Sequence, residues 1–110
     1  EKAMSNQQEF PKEPETLRLL RHKVSIANES AWDASETDLF SDAKSDVYDV
    51  LDLLSTTLDL SPEVKQQLLP VAEEGWKAII DKSSENRVRG MKASSIMANL
   101  GRKIDEILNL

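Results

Sequence analysis

Apolar residues recur every three or four positions along most of this chain, the interval at which side chains share one face of an α-helix. The clearest run covers residues 38–58. At 100° per residue, Leu39, Ala43, Val47, Val50, Leu51, Leu54 and Leu58 fall on one arc, while Asp38, Asp42, Asp46, Asp49 and Asp52 fall on the opposite one. Ahead of it, Pro14 suits the first turn of a helix over residues 14–28, where its missing N–H costs nothing. Leu17, Leu20, Val24 and Ala27 form the stripe of that helix, and Leu19 and Ile26 point to a second side. Residues 30–37, small and polar apart from Trp32, read as a connection, with Ser35 or Thr37 as the N-cap of the helix that follows.

Ser61-Pro62-Glu63 is a helix start: a capping serine, proline in the first turn and an acid near the positive end of the helix dipole. A third helix then runs to about residue 81, burying Val64, Leu68, Val71, Ala72, Gly75 and Ile79, with Trp76 at its edge. Pro70 inside it must kink the helix or split it. Ser83 or Ser84 should cap a fourth helix, striped by Ala93, Ile96, Leu100, Ile104 and Ile107 and broadened by Met97 and Leu108. Val88 and Met91 lie off that stripe. The expected fold is therefore all-α, a small bundle of about four amphipathic helices over residues 14–110, preceded by a polar arm over residues 1–13. Met4 reads either as a natural start or as an internal residue of a domain cut from a longer protein.

Charge changes this picture more than size does. A chain of 110 residues supports one core and not two. Its net charge of -6 is unevenly spread. Residues 33–59 hold eight acids against Lys44 alone, whereas residues 82–103 hold six bases against Glu85 alone. Such halves can pair within one chain, pair between copies, or offer two faces to partners. The acidic face of Asp38, Asp42, Asp46, Asp49 and Asp52 is the candidate surface for a protein partner with a basic surface. Reversal of Asp46 and Asp49 to lysine should weaken such a complex and leave the fold intact. Homo-oligomerisation is a second use of the same polarity.

The alternative reading places nucleic acid on Arg87, Arg89, Lys92, Arg102 and Lys103, or makes the acidic face a nucleic-acid mimic. The net negative charge and the lack of an aromatic in the basic stretch disfavour direct nucleic-acid binding. No catalytic or metal site emerges, and no cofactor is expected. His22 is the only histidine and sits among Arg18, Arg21 and Lys23, a solvated setting. The chain has neither a nucleophile-elbow Gly-x-Ser-x-Gly nor a phosphate-binding Gly-x-x-x-x-Gly-Lys sequence. Asp42, Asp46 and Asp49 have oxygen ligands to offer a cation, but only Glu73 and Glu74 could close a coordination sphere around it. The chain has no cysteine and no apolar run of about 20 residues, as expected of a soluble cytoplasmic protein without a membrane span.

Overall fold

The computed structural model describes residues 10–109. Four α-helices follow one another: α1 (Glu13–Thr37), α2 (Ser41–Thr56), α3 (Pro62–Ile80) and α4 (Asn86–Leu108). No strand is present among the described residues. The connections, residues 38–40, 57–61 and 81–85, are short, so consecutive helices run antiparallel. The helices form a ring: α1 packs on α2, α2 on α3, α3 on α4, and α4 closes back on α1. The pairs α1 with α3 and α2 with α4 lie across the two diagonals. The expected all-α bundle is the observed one. Of the expected N-terminal arm, residues 1–9 lie outside the described residues, as does Leu110.

Each helix contributes its apolar stripe to one core. Leu20 and Val24 of α1, Val47, Val50 and Leu54 of α2, Leu68 and Ile79 of α3, and Met97, Leu100 and Ile104 of α4 are fully buried. Each such side chain stabilises the fold by roughly 1.5–3 kcal/mol. Along the α1–α4 seam the core is built of small residues. Ala27, Ala31 and Ala34 face Gly90 and Ala93, all buried. A Cβ at Gly90 would lie 2.6 Å from the backbone N of Ser35 and 2.7 Å from the carbonyl O of Ala31. The two helices therefore approach toward the short end of the ~8–10 Å interaxial range.

The first boundary departs from the sequence reading. Residues 30–37 are not a connection but the last two turns of α1. Ala31 and Ala34 extend the Leu20, Val24, Ala27 stripe at the same interval, and nothing in the stretch breaks a helix. Ser35 is buried and donates to the Trp32 carbonyl, while Thr37 donates to Asp33 O at 2.9 Å; neither caps α2. Asp38, at φ 61°, takes the left-handed conformation that ends α1, its N–H bonding Ala34 O. The second helix is correspondingly shorter than expected. Leu39 (75% exposed) and Leu58 (86% exposed) lie outside it and outside the core. Phe40 and Leu60 are buried instead and seal the two ends.

Ser61 caps α3 as expected, accepting from the Val64 N–H at 3.3 Å. That loop is also tied to the start of α1, since Glu13 accepts from the Ser61 N–H at 2.7 Å. Pro70 does not split α3: the ring is exposed and the helix continues through it. Ser83 and Ser84 do not cap α4, which begins after Glu85 without a side-chain cap. Both hydroxyls instead donate to the Asp81 carboxylate, at 2.6 and 3.0 Å, and the Ser83 N–H does so at 3.0 Å. These bonds, the serine hydroxyl first, hold the Asp81 pKa below the usual carboxylate value, with a smaller pull from Lys92.

Candidate interaction surface

The period of α2 sets out its acids in a row on the side away from the core. Asp42, Asp49 and Asp52 are exposed along that row. Asp42 also occupies the first turn of α2, where the helix dipole favours an anion. Asp46 is half-buried at the α1 side and accepts a hydrogen bond from Ser30 Oγ, joining the two helices. Asp38 is not on the helix at all; it is exposed in the turn between α1 and α2. The extension of α1 adds Glu29, Asp33 and Glu36, all exposed, the last two in the stretch that reads from sequence as a connection. The sign that could have placed them was the alanine stripe, whose side chains are too small to stand out by hydropathy.

The basic residues lie elsewhere. Arg87, Lys92 and Arg102 are exposed on α4 and Lys103 is half-buried. Because α4 is diagonal to α2, their side chains cannot reach the acidic row. One ion pair exists among the described residues, Arg21 Nε to Asp105 Oδ1 at 2.9 Å between α1 and α4. Of the three uses of the charged halves, pairing of α2 with α4 within one chain is therefore not seen among the described residues.

Arg89 has left the surface entirely and is 8% exposed. Its Nε and Nη2 donate to the Ile79 carbonyl at 3.2 and 2.6 Å, and Nη1 donates to Asn86 Oδ1 at 2.9 Å. The guanidinium also stacks 4.1 Å over the Phe40 ring. A cation at the carbonyl end of α3 is favoured by the helix dipole. Arg89 thus fastens α3, α4 and the α1–α2 turn together, and only four of the five basic candidates remain accessible.

No group of three or more acids or His among the described residues is arranged to hold a metal ion. Glu73 and Glu74 are exposed on α3. His22 is exposed on α1. An open cleft between α3 and α4 is bordered by Glu74, Lys77, Ile80, Asp81, Lys92 and Ile96. A second groove follows the α1–α4 seam, bordered by Arg21, Ser25, Asn28, Glu29, Ser95 and Arg102. No described helix is long and apolar enough to cross a membrane. In comparison with known proteins, the chain matches no family model, no curated protein and no solved structure.

Proposed function

We propose that this chain is a non-enzymatic protein–protein interaction module of the cytoplasm, an adaptor, inhibitor or oligomerising domain, whose acidic α2 face docks on a basic partner. The observation that carries this reading is the row of Asp42, Asp49 and Asp52, which forms no ion pair among the described residues while the bases of α4 lie across the bundle. Unpaired acids on a rigid helix keep their field and need no rearrangement to meet a partner. Such a face speeds encounter and fixes register more than it adds affinity.

The clean test reverses Asp49 and Asp52 rather than Asp46, because Asp46 also holds Ser30 of α1. A tagged chain is used to capture partners from its host at low salt after nuclease treatment. The wild type is expected to retain a stoichiometric protein that Asp49→Lys with Asp52→Lys loses by at least about tenfold, with helix content unchanged. Equal retention by both would sink the proposal. Competition of the captured protein by an oligonucleotide would mark the acidic face as a nucleic-acid mimic.

A further inference from the structure

Toward the end of α1 and the start of α4, the groove between these helices has walls of opposite charge. There the α1 wall presents Glu36, with Asp38 just beyond the helix end, and the α4 wall presents Arg87. These groups share the groove without pairing with one another, whereas farther along it Arg21 of α1 is paired with Asp105 of α4. Arg102 donates to Asn99 of its own helix at 3.2 Å. The stretch between is floored by small side chains, Ser25, Asn28, Ser94 and Ala98. Two large apolar side chains border the same section of it and face solvent, Trp32 (48% exposed) from α1 and Met91 (41% exposed) from α4.

We propose that this groove is covered by the same groove of a second copy, in a dimer whose two-fold axis runs parallel to the helices. Rotation about such an axis lays α1 of one copy on α4 of the other at the same height. Glu36 then faces Arg87 of the other copy and Trp32 meets Met91 of the other copy, while Arg102 comes level with the Arg21–Asp105 pair of the other copy. Every such contact is made twice. A two-fold axis across the helices would run α1 against α1 in opposite directions. The apolar pair at one end of the groove would then face Arg18 and His22 near the other. Charge matching selects the partner and the register. Exposed ion pairs add little to affinity, so the hold comes from Trp32 and Met91 and the dimer is a modest one. The acidic row of α2 stays outside this interface, and the inference does not depend on the function proposed for it.

Sedimentation velocity of the full chain over roughly 1–300 µM, in about 0.1 M salt, reads the association directly. The mass is expected to rise from 12.4 kDa toward twice that value with concentration. Glu36→Arg and Arg87→Glu change the net charge in opposite directions, yet each should weaken the dimer at least about tenfold. The two together restore it, because the walls have exchanged sign; Asp49→Lys with Asp52→Lys leaves it unchanged. In a Trp76→Phe background, the emission of Trp32 should shift to the blue as copies associate. Circular dichroism confirms that each variant keeps its helices. A chain that stays monomeric over the whole range overturns the proposal, as does a dimer that neither single reversal affects.

Discussion

Gly90 and Gly75 both lie inside helices, where alanine is intrinsically better by about 1 kcal/mol, yet the substitution is expected to act in opposite directions at the two sites. At Gly90 the added Cβ would meet the backbone of Ser35 and Ala31 at 2.6–2.7 Å. Backbone cannot step aside, so α1 and α4 must separate, and Gly90→Ala should destabilise by about 1–3 kcal/mol. At Gly75 the nearest atom is the terminal methyl of Met97 at 2.5 Å, the free end of a flexible side chain. Gly75→Ala should leave stability unchanged or raise it by up to about 1 kcal/mol. Urea unfolding of both variants checks the pair, and equal effects would contradict this account of the seam. The core positions were legible in the sequence wherever large residues kept a helical interval, as for Val47, Val50, Leu54, Leu68, Leu100 and Ile104. Leu39 and Leu58 kept the interval too, but the chain turns before each can reach the core. Arg89 was not legible, because residue type says charge while the burial is set by a carbonyl ten residues upstream.

Among the elements, α3 and α4 are held by a cation where a neutral cap would serve most helices. Arg89 donates through three nitrogens and stacks on Phe40, a geometry that a lysine ammonium cannot reproduce. Arg89→Lys is expected to lose most of what Arg89→Met loses, about 1.5–3 kcal/mol, and hydrogen exchange should quicken at the carbonyl end of α3 before elsewhere. Full stability in the lysine variant would show that charge alone suffices. The capping residues show how element ends hide from a sequence. Ser61 was read correctly because proline and glutamate follow it. Ser83 and Ser84 carried the same chemistry, but a carboxylate two or three residues back competes for their hydroxyls and builds a turn instead. The length of α1 was missed for a third reason: alanines bury well in a close crossing and leave little hydrophobic signal.

At the scale of the molecule, charge is sorted rather than neutralised. Eight acids lie between Glu29 and Asp52 with Lys44 as the one base among them, and the single ion pair of the described residues lies elsewhere. Repulsion within the acidic side therefore opposes folding, and screening should relieve it. Raising salt from about 20 to 200 mM is expected to lift the thermal midpoint by a few degrees, about 2–5 °C, in solutions too dilute for copies to associate. A fall in the midpoint would mean that attraction, not repulsion, dominates the surface. The polarity of the candidate surface was legible from residue counts alone. Its direction was not, since only the ring order of the helices puts α2 and α4 on opposite sides.

That ring order also has a consequence during synthesis. The closing seam joins the first helix to the last, so α1 emerges with its alanine face bare and keeps it bare until α4 has been made. A ribosome that stalls between the two holds a chain with three helices and an open flank, the kind of surface that chaperones and proteases recognise. Quality control of this protein therefore turns on whether the helix Asn86–Leu108 has been made.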